Sequence, residues 1–191
     1  FRDLMAGGGL EKTAAHYGLI LALSAQGNHQ EARQQLHALI ASDGERLPYR
    51  MVAIAIERAA GDAQLATALA RALVAEQPDY YPAQLELATS LTAANQVGEA
   101  ETVLERLAKD RPTDPQIWFE LAETSGLAGD IAGVHRARAE YFALIGVFDK
   151  ARSHLGYARR LQEQDFRQVA MIDQRLRDLD LLEQQTASLR R

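Results

Sequence analysis

Residues 80–118 read YYPAQLELATSLTAANQVGEAETVLERLAKDRPTDPQIW, and this stretch decides the fold. It enters through Tyr80-Tyr81-Pro82 into an Ala/Leu run, turns at Asn95-Gln96 and returns through Gly98-Glu99-Ala100 to Leu107. It then breaks at Pro112 and begins again at Pro115-Gln116-Ile117-Trp118. Outward from it, the turn recurs as Gly27, Gly61, Asn95 and Gly129, in steps of 34 residues. Five places later a small residue recurs as Ala32, Ala66 and Ala100, with Val134 in the fourth copy; Pro78 and Pro112 form one more pair at that spacing. A period of this length with a helix-turn-helix pattern predicts stacked helical hairpins, because one hairpin cannot bury its own apolar face.

Composition agrees. The 191 residues are 47% hydrophobic with only 6% aromatics, a mix that favours helices packed on small side chains. That length suits one domain or one repeat array. The net charge of -5, with acids and bases interspersed, argues against a nucleic-acid partner, which would require a strongly basic face. There is no cysteine, so disulfides, zinc-thiolate sites and a cysteine nucleophile are excluded. No apolar run is long enough to span a bilayer, and no signal peptide is evident. The chain opens on Phe1 rather than Met, which reads as a piece cut from something longer.

Along the chain, residues 1–12 read as a tail or linker, 13–165 as the repeat array and 166–191 as a capping helix. Met5-Ala6-Gly7-Gly8-Gly9 lacks the Lys-Ser/Thr of a phosphate-binding loop. The first hairpin pairs a helix over 11–25, its inward stripe Tyr17, Ile20, Leu21 and Leu23, with one carrying Ala32, Leu36, Leu39 and Ile40. Asn28 followed by Glu31 suggests a capping box. The second hairpin carries Met51, Ile54 and Ile56, then Leu65, Leu69 and Leu73. The third carries Leu85, Leu87 and Leu91, then Ala100, Val103, Leu104 and Leu107. In the fourth, Asp114 caps, Pro115 sits in the first turn, and Trp118, Leu121 and Ala122 point inward. All five prolines fall at junctions between hairpins, where they do not break a helix. Gly146 lies 17 residues after Gly129, half a period, so one helix over 130–145 serves two successive hairpins. The next helix buries Ala151, Leu155, Ala158 and Leu161. The last carries Phe166, Val169, Ile172, Leu176 and Leu179 on one side.

These residues resemble the tetratricopeptide repeat. The family's large helix-A residue appears as Trp118, its Leu-small pair as Leu87-Ala88 and Leu121-Ala122, and its turn Gly as Gly27, Gly61 and Gly129. Its helix-B Ala appears as Ala32, Ala66 and Ala100, and its closing Pro as Pro78 and Pro112. The implied fold is an all-α, right-handed α-solenoid of about nine to ten helices with a C-terminal cap. A narrower resemblance covers the end of the chain: Gly146-Val147-Phe148-Asp149-Lys150-Ala151, Leu155-Gly156-Tyr157-Ala158, Asp165-Phe166 and Ile172-Asp173-Gln174-Arg175-Leu176. It is similar to the C-terminal tetratricopeptide region of periplasmic zinc metallopeptidases, the family of the outer-membrane-assembly protease BepA. That resemblance implies a periplasmic protein whose repeats recruit outer-membrane assembly proteins and help control an attached protease domain. The family's catalytic His-Glu-x-x-His is absent from these residues, so this chain is expected to be no enzyme and to hold no cofactor. The alternative is a free-standing cytoplasmic adaptor with no protease attached.

Arrays of this class bind a protein or peptide in a concave groove. By repeat register that groove presents Tyr17, Leu21, Met51, Arg58, Leu85, Glu86, Phe119, Glu120, Glu123, Arg136 and Glu140. The Lys/Arg/Asn carboxylate clamp of the family's chaperone-tail receptors is missing, since Gly18, Leu21, Ala55 and Thr89 stand nearby. The groove is therefore expected to take an apolar or basic peptide or helix, or else the protease domain itself. Of the five histidines, His29 and His37 lie two turns apart on one helix. His135 and His154, on different helices, are the pair that could meet in space. Neither set has the i, i+4 spacing plus carboxylate of a helical zinc site, so ordinary surface or half-buried histidine is the preferred reading. Glu120 with Glu123 and Glu99 with Glu101 read as solvated helix faces rather than acid–base pairs.

Overall fold

The computed structural model describes residues 10–189, which form ten α-helices and no strand. The Gly-rich stretch 5–9 lies outside them. The helices are α1 (Leu10–Ala25), α2 (His29–Asp43), α3 (Leu47–Ala59), α4 (Ala63–Glu76), α5 (Tyr81–Ala93), α6 (Val97–Asp110), α7 (Pro115–Ala128), α8 (Ile131–Leu144), α9 (Phe148–Leu161) and α10 (Phe166–Leu189). The chain divides into two compact units between Gln96 and Val97, so α1–α5 belong to the first and α6–α10 to the second.

The 34-residue ladder has a backbone cause. Gly27, Gly61, Asn95, Gly129 and Gly146 all adopt left-handed φ, at 79°, 88°, 59°, 78° and 76°. After each, the next N–H reaches back five residues to a helix carbonyl. Asn28 donates to Leu23, Asp62 to Glu57, Gln96 to Leu91, Asp130 to Ser125 and Val147 to Phe142, at 2.8–3.0 Å. This is the Schellman closure, which satisfies helix-end carbonyls and reverses the chain. Asn95 alone lacks glycine's freedom there, and Asn is the side chain that tolerates this region best. The half-period step to Gly146 makes the same turn, and α8 packs against both α7 and α9, as one shared helix requires.

Helix starts follow residue chemistry. Pro48, Pro82 and Pro115 sit in the first turns of α3, α5 and α7, where a missing N–H costs nothing. The Asp62, Asp114 and Asp130 carboxylates accept from the N–H of Leu65, Gln116 and Gly133 at 3.1, 2.9 and 2.8 Å. The capping box expected at Asn28 does not form: its side chain makes no cap bond, although its carbonyl accepts from Ala32 N–H. Asp165 caps α10 in the same way, accepting from the N–H of Arg167 and Gln168 at 3.0 and 3.1 Å, and each of these Asp caps carries a full negative charge at the positive helix end, which a neutral amide lacks.

In the first unit, Ile20, Leu23, Ala32, Leu36, Leu39, Tyr49, Val52 and Ile56 form one buried cluster. In the second, Ala139, Ala143, Phe148, Ala151, Leu155, Ala158, Ile172 and Leu179 form another. The repeat alanines Ala32, Ala66 and Ala100 are fully buried, because helices this close leave room only for a methyl group. Several expected inward residues point out. Leu21 is exposed beside fully buried Ile20; Leu65 and Leu69 are exposed while Ala66, Ala70 and Leu73 take the buried face of α4. The apolar stripe is rotated by about one residue, 100° on a helix. Leu161 is exposed at the last residue of α9, and Phe166, the first of α10, is 87% exposed. Trp118 is only half-buried; Ile117 is the fully buried side chain of that turn.

Candidate functional site

Each unit presents its own share of the expected groove residues. In the first unit, α1 contacts α3 and α3 contacts α5, and the six candidates sit on these three helices. The Tyr17 ring lies 5.9 Å from that of Tyr49. Burial, and secondarily Tyr80, pushes the Tyr17 hydroxyl pKa above its ordinary value. Arg58 Nε donates to Glu86 Oε1 at 3.0 Å, so these two charges are committed to each other rather than to a ligand. Met51 and Leu85 are half-buried and Leu21 is exposed.

In the second unit the five candidates separate into two groups. Phe119 is exposed with its ring 5.8 Å from Tyr141, and Glu123 pairs with Arg138 at 3.0 Å. Glu120 accepts from the Gln116 side chain one turn earlier at 2.6 Å. Arg136 and Glu140 turn instead toward the end of the chain. Arg136 donates to Gln162 Oε1 at 2.8 Å and meets Asp130 at 3.3 Å; Glu140 accepts two bonds from Arg175, from Nε at 2.7 Å and NH2 at 2.5 Å. That fork ties α8 to α10, and the bond to Glu140 is the main cause holding the Arg175 guanidinium pKa above its ordinary value.

Beside this fork an open cleft of about 680 Å³ is lined by Trp118, Leu155, Met171 and Ile172, with Arg136, Glu140, Arg167 and Arg175 among its polar margins. Its exposed surface is mostly hydrocarbon, although polar and charged side chains, among them Arg136, Glu140, Arg167, Gln168, Gln174, Arg175 and Asp178, contribute to the lining. Met171 stands 58% exposed, and the Trp118 indole N–H donates to the Pro112 carbonyl at 2.8 Å, fixing the ring's orientation. An apolar trough with a few oriented charges suits a side chain or helix face of a protein ligand. Repeat register assigns Arg136 and Glu140 to the groove with the other nine residues and not to this cleft, Trp118 is expected in the core, and sequence reasoning does not single out Met171 and Arg175 as site residues. The missed signal was the α10 period: Gln168, Met171, Arg175 and Asp178 recur at three or four residues and share one side of the helix.

His135 and His154 do meet: their Nδ1 atoms are 2.9 Å apart. One ring must donate and the other accept, so the contact accommodates a single proton between them. Both pKa values lie below the ordinary one. Burial is the largest cause for each; Arg138 and Arg160 add to it at His135, and His135, Arg138 and Lys150 at His154. Among the described residues no group of three or more His, Asp or Glu side chains could hold a metal ion, and no helix is long and apolar enough to cross a membrane.

Residues 57–121 match a family model described as tetratricopeptide repeat. Among solved structures, the chain is similar to MamA from residue 41 to its end, from Desulfovibrio magneticus RS-1, and to a double mutant of MamA RS-1. In each case the identity is 17%, the TM-score 0.60, and the alignment covers 88% of this chain and 94% of the other. Together these give an all-α fold of tetratricopeptide-type hairpins, the α-solenoid class.

Proposed function

We propose that this chain is a protein-interaction scaffold and that the cleft among α7, α8, α9 and α10 is a docking site for an apolar segment of a protein ligand. The observation that carries the reading is the cleft itself: an exposed Met171 and a half-buried Trp118 over a floor of buried Leu155 and Ile172, beside the Arg175–Glu140 fork. The tetratricopeptide match and the repeat hairpins support a binding role over a catalytic one. The finer reading is that the chain is the non-catalytic repeat region of a periplasmic zinc metallopeptidase, recruiting outer-membrane assembly proteins and restraining the protease. It rests on the residues from Gly146 onward that build α9 and α10. A free-standing adaptor is the second reading.

The test is capture from an envelope extract by the wild type, by Met171→Asp and by Leu127→Asp. Leu127 is 62% exposed, comparable to Met171, and lies outside the cleft. The expected result is a captured protein lost with Met171→Asp and kept with Leu127→Asp. Identical capture by all three refutes the cleft assignment. An upstream reading frame carrying a signal peptide and His-Glu-x-x-His supports the protease reading; its absence supports the adaptor.

A further inference from the structure

The cleft is not the only built surface of the second unit. On the side of α8 and α9 that carries His135 and His154, two cations stand over aromatic rings rather than in ion pairs. Arg152 is held by Asp149, Asp180 and Glu183, Arg159 by Asp173, and Arg175 by Glu140. Lys150 and Arg160 have no carboxylate at ion-pair distance among the described residues. Each stands over a ring instead, Lys150 Nζ at 5.1 Å from the Phe142 centroid and Arg160 Cζ at 4.7 Å from that of Tyr157. Such contacts orient a cation without neutralising it. Glu123 from α7 is the acid that reaches this face, and Arg138 occupies it.

The rings form a connected set. Tyr157 stacks on His135 at 5.0 Å and Phe142 on His154 at 5.4 Å. Tyr157 remains 48% exposed, a rigid aromatic platform flanked by cations. We infer that the face formed by His135, Arg138, Lys150, His154, Tyr157 and Arg160 is a second docking surface, and that its occupant is an acidic peptide segment. Charge complementarity chooses the occupant: three permanent cations face one committed carboxylate, in a chain whose net charge is -5. A metal ion is disfavoured by the same cations and by the absence of a third ligand. A nucleic acid is disfavoured because the face offers only three permanent cations, one of them paired with Glu123, too few for a run of phosphate contacts. Burial is the main cause of the depressed histidine pKa values and the neighbouring cations add to it; an arriving carboxylate would offset the cations' part.

The surface lies on a different stripe of α8 from Arg136 and Glu140, so it stands apart from the cleft. The probe is a fluorescein-labelled hexaglutamate peptide, with hexaglutamine as control, titrated by polarisation against the whole chain. The expected result is binding to hexaglutamate only, weakened by added salt, weakened roughly fivefold by the Lys150→Gln/Arg160→Gln pair, and unchanged by Met171→Asp. Circular dichroism verifies that the double variant is folded; should it not be, each single variant is titrated, with about half the effect expected. Equal binding of the two peptides, or full hexaglutamate affinity in the folded variant, overturns the inference. Binding of a poly-thymidylate oligonucleotide with hexaglutamate silent overturns it in favour of a nucleic acid.

Discussion

Replacing Gly61 by alanine tests the physical origin of the repeat ladder. Gly61 has φ 88°, and a Cβ built there meets nothing within 4 Å. The cost is therefore conformational and free of clashes with other residues. A left-handed backbone with a Cβ costs about 1–2 kcal/mol, and loss of glycine's unfolded-state freedom returns about 0.4–1 kcal/mol. The net destabilisation is about 1 kcal/mol, or about 2–4 °C in melting temperature for a chain of this size. Asn95→Gly should act in the opposite direction by a few tenths of a kcal/mol, since it relieves the one non-glycine φ of 59°. Urea unfolding followed by circular dichroism reads both. A neutral Gly61→Ala together with a destabilising Asn95→Gly would refute the claim that left-handed turns set the period.

Ile117→Ala empties a fully buried site and should cost about 2–5 kcal/mol; Trp118→Ala, half-buried at the cleft, should cost less by chemical denaturation and yet abolish cleft binding. Asp130→Ala removes a side-chain cap and should cost about 1 kcal/mol, whereas Asn28→Ala, whose side chain makes no cap bond, should be close to neutral in the same assay. His135 and His154 hold protons less tightly folded than unfolded, so the unfolded chain binds more protons just below pH 6.5. Stability from this pair is complete above that pH and declines as pH falls through the depressed folded values. The charged groups around the pair are Arg138 on α8, Lys150 and Arg160 on α9, and Glu123 on α7. A lower urea midpoint at pH 5.5 than at 7.5, with the difference reduced in His135→Gln/His154→Gln, is expected; a higher midpoint at 5.5 would contradict the sign.

The hairpins were legible because their punctuation is local. A left-handed turn needs Gly or Asn, a first helical turn welcomes Pro, and both leave their mark at fixed spacing whatever the tertiary contacts. The inward faces were less legible. Leu65, Leu69 and Ala66 show why: hydrophobicity favours the leucines, but close helix approach selects the alanine, and only packing decides between them. Trp118 was misplaced for a related reason, since its size suggests core while its N–H is satisfied at the rim by the Pro112 carbonyl. Repeat register put Arg136 and Glu140 in the groove, whereas the structure turns them toward the end of the chain. Their partners Gln162 and Arg175 lie 26 and 35 residues away, and no local pattern encodes such pairings.

The most direct measurement replaces Met171 with the photocrosslinking residue p-benzoylphenylalanine in the native host, with the same residue at Leu127 as the matched control. The account predicts a discrete protein adduct from position 171 and none from 127. An adduct whose mass matches the parent chain alone would identify an attached domain as the occupant, and a heavier one a separate protein. Absence of any adduct from position 171, or the same adduct from both positions, would contradict the assignment of this cleft as a docking site.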